Sequence, residues 1–359
     1  MRRHRAVLAV LAVATSTFAI AATAASASAT TGAVAHRGLA HRGLAHRGLP
    51  HQVFAPYFET YDTTDGGLAA LSQASGAKFL SLAFLQTAQA GSCTAYWDGN
   101  TATPIAASSF GSDIAAIQRA GGNVIPSFGG FTADTTGTEL ADSCTDVHAI
   151  AAVFESLITT YHVSRIDLDI EATSLSNTDG INRRNEAIAE TERWARAHGH
   201  RVQFAYTLPT FPTGLTSDGV AVLQNAIADH ARIAVVNLLT FDYFFGTQQD
   251  MVADTETAAE GLFSQLQSLY PSSSAAHLWH MIGVTEMPGI DDFGAAETLS
   301  EADASAVLTW ARQHRLGFLS FWALQRDNGN CPGTKGAGNC SGLDQQTWFF
   351  SHLFERFTR

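Results

Sequence analysis

Three carboxyl groups occupy every second position of one short segment: Asp167, Asp169 and Glu171. Alternate residues of a β-strand point to the same face, so these carboxyl groups share one face and the aliphatic residues between them take the other. Like charges a few ångströms apart disfavour full ionisation, so at least one proton is retained near neutral pH. A retained proton is what a general acid needs. Glu171, the outermost of the three, is the candidate proton donor, with Asp167 and Asp169 sharing a proton beneath it.

The same spacing fits two other interpretations. A D-x-D pair at the end of a strand can bind a divalent metal, and charged residues there can also be merely solvated. Spacing alone does not decide between catalysis and these alternatives, so independent signals are needed.

The elements that must position these carboxyl groups are short apolar runs that alternate with longer amphipathic segments. Eight strands, each followed by a helix, in about 300 residues are typical of a (β/α)8 or TIM barrel, an α/β fold. An open doubly wound sheet would instead carry a Gly-rich phosphate loop after its first strand. Barrel chemistry lies where strands end, and Glu171 follows the fourth strand. The predicted strands are residues 53–58, 79–85, 123–127, 165–170, 202–208, 234–241, 280–285 and 317–322, and the predicted helices are residues 110–120, 147–161, 182–198, 219–230, 256–269, 301–314 and 345–354.

The fourth predicted strand resembles the signature of family 18 of the glycoside hydrolases, D-x-x-D-x-D-x-E, at residues 167–171. Residues 127–130, Ser-Phe-Gly-Gly, match the family's S-x-G-G motif on strand three. Residues 237–243 resemble its strand-six motif, and Trp322 falls where strand eight of such enzymes carries a tryptophan. The four motifs occur in the family's order, and the resemblance looks closest to bacterial single-domain chitinases of the chitinase D type.

The resemblance implies a substrate-assisted mechanism, in which an N-acetyl group of the substrate replaces the second carboxylate of ordinary retaining glycosidases. Glu171 would protonate the leaving oxygen while the acetamide oxygen attacks C1. Asp169 would turn toward Glu171 and accept a hydrogen bond from the acetamide N–H, with Asp167 balancing the protons beneath it. Trp322 would form an apolar floor under the sugar, and Tyr57, at the end of strand one, would lie beside the same sugar.

The sequence also departs from the family's pattern. Ser164 stands where the motif has its first Asp, and Ala172 stands where a Gly usually follows the acid. Phe241 occupies the position of the tyrosine that hydrogen-bonds the substrate acetamide in many members. Either Asp242 or Tyr243 is therefore expected to supply that contact.

The resemblance implies cleavage of β-1,4 linkages in chitin or chitooligosaccharides. Two alternatives stay open: an endo-β-N-acetylglucosaminidase acting on the chitobiose core of N-glycans, and a non-catalytic chitin-binding lectin on the same barrel. Such lectins typically lack the acid, which is present here as Glu171. Larger chitinases of the family insert an α+β module after strand seven, and residues 287–298 are too few for one. We therefore expect an open, shallow cleft and internal, weakly processive cutting.

Composition and the N-terminus restrict the function classes. Three arginines within the first five residues, an apolar run over residues 6–22 and small-residue cleavage sites predict a signal peptide over residues 1–29. A flexible leader with three Ala-His-Arg-Gly-Leu repeats, residues 30–51, and a catalytic domain, residues 52–359, are expected to follow. Without those arginines, 18 basic residues (21 − 3) face 33 acidic ones, a net charge of about −15, which disfavours nucleic acid as a partner. We expect a secreted monomer without a membrane span.

The four cysteines favour disulfides over a metal site, because secretion is oxidising and no clustered Cys/His spacing occurs. Cys93 follows strand two and Cys144 follows strand three, so both are expected in neighbouring loops at the barrel mouth. Cys331 and Cys340 close a short Gly-rich loop after strand eight. We predict the pairs Cys93–Cys144 and Cys331–Cys340, one of three possible pairings, and expect neither a metal nor a cofactor.

Overall fold

The computed structural model describes residues 48–359, in which strands and helices alternate along the chain. The predicted signal peptide and the predicted leader up to residue 47 lie outside the described residues. The strands are β1 (Val53–Phe54), β2 (Tyr57–Glu59), β3 (Phe79–Thr87), β4 (Ala95–Trp97), β5 (Asn123–Gly129), β6 (Arg165–Asp169), β7 (Gln203–Phe211), β8 (Gly214–Leu215), β9 (Ile233–Leu239), β10 (Ile282–Glu286), β11 (Gly289–Ile290), β12 (Thr298–Leu299) and β13 (Phe318–Phe321). The α-helices are α1 (Leu68–Ser75), α2 (Gly111–Arg119), α3 (Phe131–Thr136), α4 (Leu140–Ser143), α5 (Val147–Tyr161), α6 (Thr178–Ala197), α7 (Ser217–Ala228), α8 (Met251–Leu269), α9 (Ala275–His280), α10 (Glu301–His314) and α11 (Phe349–Phe354).

A closed parallel barrel forms the centre of the molecule. Its strands follow the order β1-β13-β10-β9-β7-β6-β5-β3-β2. β1 pairs with β13 and β2 pairs with β3, both in parallel. Only Ala55 and Pro56 separate β1 from β2, so these are two halves of the first barrel strand, and the sheet closes on itself. The (β/α)8 barrel predicted from the sequence is therefore confirmed.

Helix α5 shows how the outer layer is fixed against the strand that carries the carboxyl groups. Its N-terminus is capped by Asp146, whose side chain accepts hydrogen bonds from two main-chain N–H groups of the first turn. Phe154, on the buried face of α5, makes edge-on ring contacts with Phe128 at 5.3 Å and Phe204 at 5.4 Å. These two rings belong to the strands on either side of β6. Packing of α5 thus holds β6 in place from outside the barrel.

The lower part of the barrel contains a buried apolar cluster. Phe79, Ile125 and Phe318 belong to a buried cluster inside the lower barrel. Leu49, at the end of the predicted leader, packs against this cluster. The described end of the leader therefore belongs to the barrel floor. Among the described residues, no helix is both long enough and apolar enough to cross a bilayer.

The last two helices differ in how well the sequence predicts them. Helix α10 starts where expected, because Ser300 and Asp303 form a reciprocal capping box. The last helix is shorter than its prediction and begins at Phe349. The residues before it form a loop, and the side chain of Asp327 accepts the N–H groups of Phe350 at 3.1 Å and Ser351 at 2.7 Å. A cap supplied from a distant loop leaves no local sequence signal.

Candidate active site

The three carboxyl groups of the fourth barrel strand rise from the barrel interior into a cleft. Asp167 and Asp169 lie on β6 and are 4% and 3% exposed. Glu171 is half-buried two residues past the end of the strand. A cavity of about 670 Å³ opens above the strand and is lined by Asp169 and Glu171. The structure thus brings the three predicted carboxyl groups together at the barrel mouth.

Asp167 is held by three hydroxyl groups. Its Oδ2 accepts hydrogen bonds from Tyr57 at 2.9 Å and Ser127 at 2.7 Å, and its Oδ1 accepts one from Thr207 at 2.9 Å. Burial raises the pKa of Asp167 above its ordinary value, and the hydroxyl donors counteract this rise. Asp167 is therefore fixed beneath the cleft and does not face a ligand directly.

The carboxyl groups of Asp169 and Glu171 interact electrostatically. Burial, and then the neighbouring Glu171 and Asp167, raise the pKa of Asp169 well above its usual range. Burial raises the pKa of Glu171 to about 7, although the N–H of Phe131 donates a hydrogen bond to its carboxylate. Crowding of like charges predicted a retained proton, but the structure gives burial as the larger cause. The pair can hold a proton near neutral pH and release it at the cleft surface.

Two glycines allow the main chain to approach the end of β6. Gly129 and Gly130 have φ angles of 92° and 80°. A Cβ atom at Gly129 would lie 2.0 Å from the carbonyl oxygen of Asp169, and one at Gly130 would lie 2.5 Å from the ring of Phe84. Close approach explains why the S-x-G-G segment carries glycine at both positions.

Asp134 is a fourth carboxyl group at the site, and the sequence reasoning missed it. It is fully buried on α3, and its Oδ2 accepts the main-chain N–H of Glu171. Its main-chain carbonyl oxygen accepts the hydroxyl of Thr173. Burial, and then the neighbouring Glu139, raise the pKa of Asp134 to about 9. In the sequence, Asp134 is marked only by its position shortly after a Gly-Gly pair. An aspartate near the start of a helix is commonly a helix cap, so this position alone does not indicate a site residue.

Trp322 lines the cleft as predicted, whereas Tyr57 does not. Trp322 stacks on Phe84, with ring centroids 5.5 Å apart and ring planes 12° apart. Tyr57 is 1% exposed, and its hydroxyl is used by Asp167. It opens β2 two residues before that strand ends, so its side chain points into the barrel interior below the mouth. Tyr57 therefore supports Asp167 and does not lie beside a ligand in the cleft.

The two strand-six candidates are separated by the structure. Asp242 lines the cleft, and burial together with Asp291 raises its pKa to about 8. Tyr243 is 5% exposed and lies near Glu286 and Asp254, away from the cleft. Asp242 adopts a left-handed conformation with φ 55°, which turns the next side chain toward α8. The expectation that Tyr243 contacts a ligand is corrected, and Asp242 remains the candidate.

Exposed aromatic rings line the cleft, and the sequence reasoning did not single them out. Tyr61, Phe131 and Phe244 are 50%, 66% and 58% exposed. Exposed aromatic faces suit the C–H faces of sugar rings. Within residues 48–359, no group of His, Cys, Asp or Glu is arranged to hold a metal ion.

Both predicted disulfides are present. Cys93 pairs with Cys144, with Cα atoms 4.6 Å apart, and links the loop after β3 to the end of α4. Cys331 pairs with Cys340, with Cα atoms 6.0 Å apart, and closes the loop that follows β13. The first bond ties together two of the loops that form the barrel mouth.

Known proteins with similar sequences or structures carry names that agree with this geometry. No protein-family model matches the chain. The chain is 32% identical over 320 residues to the "probable bifunctional chitinase/lysozyme" of Escherichia coli (strain K12), a match that covers 86% of this chain and 34% of that protein. It is 32% identical over 287 residues to "endochitinase 11" of Metarhizium anisopliae, covering 77% of this chain and 52% of that protein. The chain thus spans about a third to a half of the length of these relatives.

Solved structures extend the comparison. The catalytic domain of a hyperthermophilic chitinase from Pyrococcus furiosus is 27% identical, with a TM-score of 0.74 over 86% of this chain and 95% of that chain. A family 18 chitinase from Pseudoalteromonas aurantia, 17% identical with a TM-score of 0.53 over 78% of this chain and 97% of that chain, shares the fold. Given this fold, the relatives and the four motifs at the barrel mouth, the chain belongs to family 18 of the glycoside hydrolases.

Proposed function

We propose that the protein is a secreted chitinase that cleaves β-1,4 linkages of chitin or chitooligosaccharides by a retaining, substrate-assisted mechanism. The observation that carries the proposal is the neighbouring pair of Asp169, which is buried, and Glu171, which is half-buried, both with a raised pKa and both lining a cleft with aromatic walls. The names of the relatives, chitinases in each case, support the same substrate class.

Glu171 is the proposed proton donor. It lies at the cleft surface with its pKa raised to about 7, so a substantial fraction is protonated at neutral pH. As Glu171 protonates the leaving oxygen, the acetamide oxygen of the sugar attacks C1 and forms an oxazolinium-like intermediate. Water deprotonated by Glu171 then opens this intermediate with retention of configuration.

Asp169 is the proposed partner of the acetamide, not a nucleophile. It lies on the same strand face as Glu171, directly beneath it, and is 3% exposed. Its Oδ1 is buried and makes no hydrogen bond to the described part of the chain, so a turn of the side chain toward Glu171 would bring an unused acceptor to the acetamide N–H. Trp322 supplies the floor on which the sugar ring would stack.

Cleft shape supports internal cutting of the polymer. Between β10 and α10 the chain forms only the short antiparallel pair of β11 and β12. No wall-forming module is inserted there, so the cleft is open along this side. An open cleft releases a long polymer readily, which favours soluble oligomers over crystalline chitin as substrates.

Two other functions are distinguished by one experiment. The mature protein is incubated with chitin oligomers, chitosan and a high-mannose glycopeptide, and products are followed by mass spectrometry with Glu171→Gln as the matched control. A chitinase releases N-acetylglucosamine oligomers from the first substrate. Release of the glycan from the glycopeptide alone would establish an endo-β-N-acetylglucosaminidase, and binding without cleavage would establish a lectin.

Secretion and monomeric state are part of the proposal. The two disulfides support an oxidising compartment. Detection of the processed chain in culture medium, starting near residue 30, tests secretion. Light scattering on the eluted protein tests the expected monomer.

A further inference from the structure

Three contacts from the start of α3 reach the segment that carries the proposed acid. The N–H of Gly130 donates to the carbonyl oxygen of Asp169 at 2.9 Å. The N–H of Phe131 donates to the Glu171 carboxylate, and the carboxyl group of Asp134 accepts the main-chain N–H of Glu171. Only the last contact is made by a side chain of α3, so it can be removed by substitution while the main chain is kept.

Asp134 contacts the chain on both sides of a strained residue. Ala172 has a φ of 39°, a conformation that residues with a Cβ atom rarely adopt. Such residues persist where the surrounding structure over-determines them. The carboxyl group of Asp134 accepts the N–H of Glu171 just before Ala172, and its main-chain carbonyl oxygen accepts the hydroxyl of Thr173 just after it. The two contacts close the turn that aims the Glu171 side chain at the cleft.

The surroundings of Asp134 favour its neutral form. Its side chain is 0% exposed and faces Asp169 and Glu171 from the β6 end, Glu139 before α4, and Arg184 from α6. Arg184 is already paired with Glu139 at 2.7 Å, so its charge is largely balanced. Burial and the nearby carboxylates raise the pKa of Asp134 to about 9. A neutral carboxyl group still accepts an N–H through its carbonyl oxygen.

We propose that Asp134 is a positioning residue for Glu171: its buried side-chain oxygen accepts the main-chain N–H of the acid and keeps the turn at Ala172 closed. The proposal rests on the proposed function only for the role given to Glu171. Its pKa, raised to about 9, favours the neutral form at neutral pH, in which Asp134 adds no further negative charge beside Asp169. An asparagine can therefore replace it in this role, whereas an alanine cannot.

The test compares Asp134→Asn with Asp134→Ala, using soluble chitooligosaccharides as substrate. We expect Asp134→Ala to lower kcat by about 100-fold while KM changes less than about threefold, because the acid is misplaced but the sugar floor is intact. Asp134→Asn should keep kcat within about fivefold of the wild-type value, because its amide oxygen accepts the same N–H. Adding Ala172→Gly to Asp134→Ala should restore part of the lost kcat, because glycine adopts a positive φ without the hydrogen bond that the Asp134 side chain supplies.

The matched control is a substitution of Asp142, a nearby residue whose carboxyl group is hydrogen-bonded to other residues than Glu171. Asp142 accepts hydrogen bonds from Ser174 and Asn177, so Asp142→Ala loosens this loop from its other side. It should leave kcat within about threefold of the wild-type value. A loss equal to that of Asp134→Ala would show general loosening and overturn the positioning role.

The pH profile and amide exchange separate this proposal from the proposed function. If Asp134 is neutral, Asp134→Asn leaves the alkaline limb of kcat/KM in place, whereas removal of a carboxylate would move that limb by about one pH unit toward acid.

Hydrogen exchange of the Glu171 amide, followed by NMR, should be slow in wild type and Asp134→Asn but fast in Asp134→Ala. Amide exchange can be measured even if the wild-type protein cleaves no chitooligosaccharide. That lack of activity would contradict the proposed function but not the positioning role of Asp134. Unchanged Glu171 protection in Asp134→Ala, or equal damage by both substitutions, would overturn the positioning role.

Discussion

At the residue scale, the proposed acid, Glu171, depends on burial to keep a proton near neutral pH. Glu171 has its pKa raised to about 7. Since the donor must be protonated, the free enzyme should hold its activity below this pH and lose it as pH rises further. We expect kcat/KM on soluble chitooligosaccharides to fall tenfold per unit well above pH 7. Full activity retained at pH 9 would contradict this assignment.

The hydroxyl groups around Asp167 give a second prediction at this scale. Tyr57→Phe removes one of three donors but keeps the ring that packs 5.7 Å from Trp322. Loss of a donor to a buried carboxylate should lower kcat by about tenfold, with KM nearly unchanged. Steady-state kinetics with Ser127→Ala as the matched variant, which removes another donor to the same oxygen, measures both effects. A rise in KM without a fall in kcat would instead place Tyr57 in contact with the sugar.

At the scale of elements, the barrel strands were predictable because they are short apolar runs that alternate with longer amphipathic segments. Asp167 and Asp169 were placed correctly by period-two alternation on β6. The side chains at irregular ends were not predictable. Tyr243 follows a left-handed residue, Asp242, and points away from the cleft. Asp134 reaches Glu171 from 37 residues away in sequence, a contact that local patterns do not encode.

The two disulfides should differ in their effect on stability. Cys93–Cys144 spans 51 residues and Cys331–Cys340 spans 9. Because the entropy removed from the unfolded chain grows with loop length, serine pairs should cost about 4 kcal/mol at the first site and about 2.5 kcal/mol at the second. Denaturant unfolding of the two double variants measures the difference. A larger loss at the second site would contradict the loop-length argument.

At the scale of the whole molecule, buried neutral acids make stability depend on pH. Burial raises the pKa of Glu286, which is 0% exposed between β10 and α8, from 4.5 to about 8. The folded state therefore holds this proton more tightly than the unfolded state. Its contribution is present below about pH 4.5 and is lost as pH rises toward 8. The Tm of wild type should thus fall from pH 5 to pH 8 more than that of Glu286→Gln. Equal falls would show that Glu286 does not cause this pH dependence.

The central claim is that Glu171 is the acid of a chitin-cleaving site, and Glu171→Gln tests it most directly. The substitution keeps the side-chain volume and removes the proton, so binding of chitooligosaccharides, measured by calorimetry, and the Tm should stay close to wild type. Hydrolysis measured on the same preparation should fall by at least about 100-fold. If the glutamine variant kept about a tenth or more of the wild-type turnover, its loss would be smaller than removal of a general acid causes. Another group would then have to be the acid.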